Sequence, residues 1–108
     1  MEKVNKEQTP WGFRATLVSK NEYSGVVLIV KEGERTPYIY HKKRDKTWVV
    51  SQGLIQYTAE GKVRLVGEGE AIHILPGIMH RMAAIKGDAT IIEIGTKLLD
   101  DVVVVEDK

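Results

Sequence analysis

Histidine is the scarcest of the side chains here that can ligate a metal or move a proton near neutral pH, and it occurs at positions 41, 73 and 80. Two of the three have similar surroundings. In each case a glycine-bearing turn leads into a short apolar, strand-like run: residues 36–41 deliver His41, and residues 79–84 deliver His80. If those strands lie side by side, both imidazoles converge on one pocket. Lys42, Lys43 and Lys46 crowd His41, whereas a metal site calls for more imidazole or carboxylate. Cations suit an anion better. Arg35, Arg44 and Arg81 carry guanidinium forks that pair bidentately with phosphate or carboxylate oxygens, and Lys43 or Lys46 can add charge. Tyr38, Tyr40 and Trp48 can give a sugar a stacking wall, although aromatic residues on strands more often pack in a core or against a partner, the reading favoured for Trp48. For each arginine alone the plain reading is a solvated rim. For each histidine it is a ring satisfied by hydrogen bonds near the core.

The elements that position these residues read as strands. Residues 1–9 are polar and form an N-terminal arm, expected to be loose, before a single domain over residues 10–108. Residues 11–19, 26–30, 36–41, 48–51, 54–58, 63–66, 71–75, 79–84, 90–94 and 102–105 are rich in β-branched, aromatic and aliphatic residues and are bounded by turn signals. Gly53 is expected to break the chain, with residues 54–58 running in the opposite sense, and Lys86, Gly87 and Asp88 to make a turn. Gly61 supplies the positive φ of a tight hairpin. A sustained 3.6-residue apolar period is absent. The pattern is therefore all-β with almost no helix, a β-sandwich or small barrel of roughly nine or ten strands.

Composition narrows the function classes. At 108 residues the chain is long enough for one core without staples, and 16 Lys and Arg against 15 Asp and Glu leave a net charge of +1. That balance gives no field selecting nucleic acid or an anionic membrane, so neither partner is expected. The lack of cysteine excludes thiolate zinc sites, thiol nucleophiles and disulfide scaffolds. A polar N-terminal stretch without an apolar signal core, and no apolar run of membrane length, lead to the expectation of a soluble, cytoplasmic protein. The wholly apolar runs 26–30 and 102–105 exceed what one small core needs, which predicts a homodimer.

Taken together, Pro10, Trp11 and Gly12, the run Gly33 to Thr36, Tyr40 and His41, Arg44, Trp48 to Val50, Gly53, Gly69 and Glu70, Ile72, Ile74, Gly77, His80 and Arg81, Ile91 to Glu93, and Glu106 and Asp107 resemble a cupin. The likeness is to the small cupin domain of type II mannose-6-phosphate isomerases, often fused behind a mannose-1-phosphate guanylyltransferase. It implies a jelly-roll, double-stranded β-helix and a sugar-phosphate aldose–ketose isomerase. It also implies one divalent metal, such as zinc, manganese, nickel or cobalt, held by His41 and His80. Glu93 or His73 would then complete the site or act as base, with Arg35, Arg44 and Arg81 on phosphate. In the family pattern, Lys42 and Lys43 replace further histidines, Lys46 replaces a glutamate, and Asp45 is one residue out and so on the opposite strand face. Three readings remain open: a metal-dependent isomerase-like enzyme on a phosphorylated sugar, a non-catalytic cupin that binds a sugar phosphate or similar anion without metal, and a metal-free enzyme using a lysine as base or Schiff-base former.

Overall fold

A computed structural model describes residues 3–107. Nine strands follow one another without a helix among the described residues: β1 (Asn5–Thr9), β2 (Gly12–Ser19), β3 (Ser24–Val30), β4 (Tyr38–His41), β5 (Lys46–Ala59), β6 (Lys62–Val66), β7 (Ala71–Ile74), β8 (His80–Gly95) and β9 (Val102–Glu106). All pairings are antiparallel, along a path β1-β2-β3-β8-β4-β9, with β5 joined to β6, β7 and β8. The fold is the double-stranded β-helix of cupins.

Its spine is the pair β5 and β8. The first half of β5 pairs with the end of β8, and Leu54 to Ala59 pair back along Lys86 to His80. Both strands bend at a glycine that takes a positive φ, Gly53 at 90° and Gly87 at 71°, and the register shifts between Val50 and Ile55 absorb the bend. The break expected at Gly53 and the turn expected at residues 86–88 are therefore bends within long strands. A glycine releases the local strain, while the ladder on both sides keeps the chain extended.

The polar arm expected over residues 1–9 contributes β1, which pairs in register with β2 from Asn5↔Thr16 to Thr9↔Gly12. Its backbone groups find a ladder although its side chains are mostly exposed. Met1 and Glu2 lie outside the described residues.

Alternation builds the core. Val26, Leu28 and Val30 on β3, Trp48 and Val50 on β5, Ile72 and Ile74 on β7, and Met82, Ala84, Ala89 and Ile91 on β8 all point inward and are buried. Val27 and Ile29, the other face of the apolar run in β3, are only half-buried. No helix among the described residues is long and apolar enough to cross a membrane.

Candidate functional site

Strand β4 meets the start of β8 at Ile39↔His80, and this pairing brings His41 and His80 together. Their rings stack with centroids 6.1 Å apart and planes 25° from parallel. The convergence expected from the two turn-and-strand units is thus present. What joins them is a set of buried charges. On β5, Lys46, Trp48 and Val50 all face inward. The Lys46 ammonium donates to His41 Nε2 at 2.9 Å, lies 3.5 Å from Glu93 Oε1 and stands 4.9 Å from the centre of the Trp48 ring. Glu93, on β8 across the ladder from Trp48, accepts from the Trp48 indole Nε1 and the Arg44 guanidinium, each at 2.8 Å. Arg44 also donates to Ser24 Oγ and to the Thr96 carbonyl.

The other ring nitrogen of His41 faces Asp101 Oδ1 at 3.1 Å, just before β9. Asp101 Oδ2 accepts from the backbone N–H groups of Lys43 and Arg44 at 2.9 and 2.8 Å. One tautomer satisfies both contacts: Nδ1 carries the hydrogen and donates to Asp101, leaving the Nε2 lone pair for Lys46. His80 donates from Nδ1 to the Ile78 carbonyl at 2.7 Å, and its buried Nε2 has no partner.

Burial and mutual charge set the protonation of this cluster. Burial resists ionisation of Glu93, but Lys46, Arg44 and the Trp48 N–H overcome it and bring its carboxyl to about 2. Burial lowers Lys46 to about 8 against the pull of Glu93, with Arg44 adding repulsion. His80 falls to about 3 through burial and then the Lys46 charge. His41 is lowered by the same two causes, although Asp101 works against them. Burial of Asp101 is outweighed by its backbone donors and His41, which take it to about 2. Near neutral pH both imidazoles are neutral and both carboxylates ionised.

A cavity of about 340 Å³ opens beside the cluster. His41, Arg44, Lys46, Trp48 and Glu93 form its polar end. Trp11, Leu28, Ile39, Leu98, Leu99, Val102 and Val104 give it apolar walls, and Glu7, Thr9 and Arg14 reach it from β1 and β2. Thr9 Oγ1 is buried there without a hydrogen-bond partner. The Arg14 side chain is 36% exposed and only loosely paired with Glu7 at 3.7 Å.

Of the residues singled out in the sequence, His41, Arg44, Lys46 and Glu93 line this cavity, and His80 stands behind His41 and Trp48. The others do not join them. Tyr38 and Tyr40 alternate with the cavity-lining Ile39 and His41 and so face the other way. Arg81 lies over the Tyr38 ring, 5.7 Å from its centre, and donates to the Thr36 carbonyl and to Glu106. Arg35 and Lys43 are exposed. His73 is exposed on β7, bonded to Thr47 Oγ1, and borders a separate shallow depression. The anticipated trio of Arg35, Arg44 and Arg81 is therefore dispersed, because only Arg44 lies on the cavity side. Asp45 is exposed, on the face opposite Lys46, as alternation predicts. Asp101, Arg14 and Thr9 carried no chemical signal in the sequence; Asp101 lies 60 residues from its partner His41.

Residues 1–107 match the profile of the family described as Mannose-6-phosphate isomerase C-terminal. The chain belongs to this family. Among curated relatives, the mannose-1-phosphate guanylyltransferase of Escherichia coli K12 is 34% identical over 71 residues, which is 66% of this chain and 15% of that protein. The putative mannose-1-phosphate guanylyltransferase of Vibrio cholerae is 30% identical over 92% of this chain and 22% of its own length. The chain thus spans about a fifth or less of these relatives. Among solved structures, KdgF from a Halomonas species superposes with a TM-score of 0.80 at 20% identity, covering 92% of this chain and 89% of that one. A putative sugar phosphate isomerase from Acidithiobacillus ferrooxidans gives 0.71 at 17% identity, covering 88% and 67%. At these identities the two structures bear on the fold.

Membership in a cupin family implies a divalent metal, which the residues of this site do not fit. Among the described residues no three His, Asp or Glu side chains gather in a geometry that can hold one. The His41 lone pair that would ligate an ion points at the Lys46 ammonium, and the Glu93 oxygens accept from Arg44 and Trp48, with the Lys46 ammonium paired to Oε1 at 3.5 Å. A second positive charge on this spot would meet a buried cation. The expected ligand pair His41 and His80 is thus a hydrogen-bonded imidazole next to a sequestered one, with the Lys46 ammonium on the His41 lone pair.

Proposed function

We propose that this chain is a metal-free cupin that takes a phosphorylated sugar or a similar small anion into the 340 Å³ cavity. The observation that carries the proposal is the Lys46 ammonium, fixed between His41 and Glu93 at the cavity's polar end. Lys46 supplies the positive charge that the family resemblance assigns to a metal, on the cavity wall where a ligand's oxygens can meet it. Cavity-lining cations Arg14, Arg44 and Lys46 outnumber the anions Glu7 and Glu93 by one. Arg44 is committed to Glu93, so Arg14, loosely held and partly exposed, is the residue free to turn onto a phosphate. The unpartnered Thr9 hydroxyl offers a further bond, and Trp11 with the aliphatic wall covers the sugar's apolar face. Family membership and the guanylyltransferase relatives make mannose 6-phosphate the first ligand to try. A cytoplasmic setting and a homodimer belong to the same reading.

Thermal melting with mannose 6-phosphate, inorganic phosphate and unphosphorylated mannose tests it. The sugar phosphate is expected to raise the melting temperature with chelator present, and Arg14→Ala to remove most of the rise. Melting unchanged across the panel overturns the proposal.

A further inference from the structure

Two buried cations share one buried carboxylate, and that surplus needs a reason. Arg44 alone neutralises Glu93 at 2.8 Å, so Lys46 is not required to balance charge. Lys46 instead stands in line with a proton acceptor. Its Nζ is 2.9 Å from the His41 Nε2 lone pair, and His41 is held in that tautomer by Asp101, which two backbone N–H groups fix in turn. The order carboxylate, imidazole, nucleophile is the arrangement by which a weak nucleophile loses its proton on demand. Here the nucleophile is a primary amine on the wall of a cavity that can admit a small molecule.

We propose that Lys46 forms a protonated imine with the carbonyl carbon of an aldehyde or ketone ligand, using the His41–Asp101 pair to take up and return the proton. This rests on the binding reading above and extends it to carbonyl chemistry. The ammonium first passes a proton to His41 Nε2, and the imidazolium is stabilised by Asp101. The neutral amine adds to the carbonyl carbon; the C–N bond forms as the C=O π pair moves to oxygen, and an N–H proton then moves to that oxygen, giving a neutral carbinolamine. His41 returns its proton to the hydroxyl, which departs as water while the nitrogen lone pair completes the C=N bond. The nitrogen carries one positive charge at the start and at the end, so Glu93, 3.5 Å away, serves the ammonium and the iminium alike. No electrons enter or leave, and no co-reactant is needed. Lys46 is the catalytic residue of this step, and Asp101 a positioning residue.

Reductive trapping tests the proposal. Wild-type protein is incubated near neutral pH with glyceraldehyde or glyceraldehyde 3-phosphate and cyanoborohydride, and the modified lysines are mapped by peptide mass spectrometry. Lys46 is expected to label faster than the exposed Lys42 and Lys43 by about tenfold or more, and Asp101→Asn to slow Lys46 selectively by a similar factor while leaving the exposed lysines unchanged. Lys46→Arg keeps the charge and loses that label alone. Labelling confined to exposed lysines, or Lys46 labelling no faster than they do, overturns the imine. A phosphorylated polyol without a carbonyl, assayed by thermal shift, separates the two readings. Stabilisation by the polyol without Lys46 labelling leaves binding standing and removes the imine; Lys46 labelling without stabilisation removes phosphate binding and keeps the imine.

Discussion

Glu93 is the carboxylate on which the buried charges of this site converge, so its removal is the sharpest perturbation available. Glu93→Gln leaves Arg44 and Lys46 buried without an anion and is expected to cost about 3–5 kcal/mol in urea unfolding. Lys46→Met costs less, because Glu93 keeps Arg44 and the Trp48 N–H; equal costs would mean that the charges are not coupled. Acid sensitivity follows from the same residues. His80 is lowered from 6.5 to about 3, Glu93 from 4.5 to about 2 and Asp101 from 3.8 to about 2. In every case the unfolded chain binds the proton first, so each contribution is complete above the unfolded value and is lost as pH falls toward the folded one. By the same rule Lys46, lowered from 10.5 to about 8, loses its contribution between those values as pH falls; below neutrality the melting temperature should decline from just below pH 6.5 through His80 and His41 and fall more steeply below pH 4.5 as the carboxylates join. His80→Asn, which keeps a donor for the Ile78 carbonyl, should flatten the upper part of that decline. An unaltered profile in His80→Asn would contradict the assignment.

At the scale of the elements, the site depends on two strands approaching closely at the end of β8. A side chain at Gly95 would place its first carbon 2.7 Å from Arg44 Nη2 and 2.8 Å from the Asp45 carbonyl oxygen. Gly95→Ala should therefore push Arg44 off Glu93 and destabilise by about 1–3 kcal/mol, as overpacking does; a neutral effect on chemical unfolding would show that the two strands separate freely. The sequence made much of this level legible. Inward alternation of Trp48 and Val50 and the pairing of the two histidine strands could be read from period-two pattern and turn residues, whereas Lys46 lay outside the strand expected at 48–51, in a run of charges that reads as a solvated turn, and is instead buried at the start of β5. Gly53 and Gly87 read as breaks because a glycine marks a change of direction equally well when the chain reverses and when a long strand bends; the partner strand decides which. Residues 5–9 read as a loose arm because their pairing with β2 is a backbone matter that polar side chains do not advertise. Arg44 with Glu93, and His41 with Asp101, lie 49 and 60 positions apart. Nothing local announces such pairs, so both the burial of the ammonium and its partners were hidden.

For the molecule as a whole, the sheet leaves apolar surface at its margin. β9 is an edge strand, and Val102, Val104 and Val105 are 44, 54 and 45% exposed. The companion run in β3 is spent largely on the core, so β9 is the surface on which a second copy is expected to add. Light scattering should give twice the chain mass, and Val104→Lys with Val105→Lys should halve it; a monomeric wild type at working concentration would refute the dimer. The position of Asp101 also has a consequence in time. During synthesis from the N-terminus, a chain that has emerged only as far as Leu99 already contains His41, Lys46, Trp48, His80 and Glu93. It lacks the carboxylate that holds the imidazole and the strand that closes the cavity wall. The cavity is therefore assembled only once residues 101–104 have joined the rest of the sheet, and a fragment that stops at Leu99 is expected to fold, if at all, with the His41 ring unheld and that wall open.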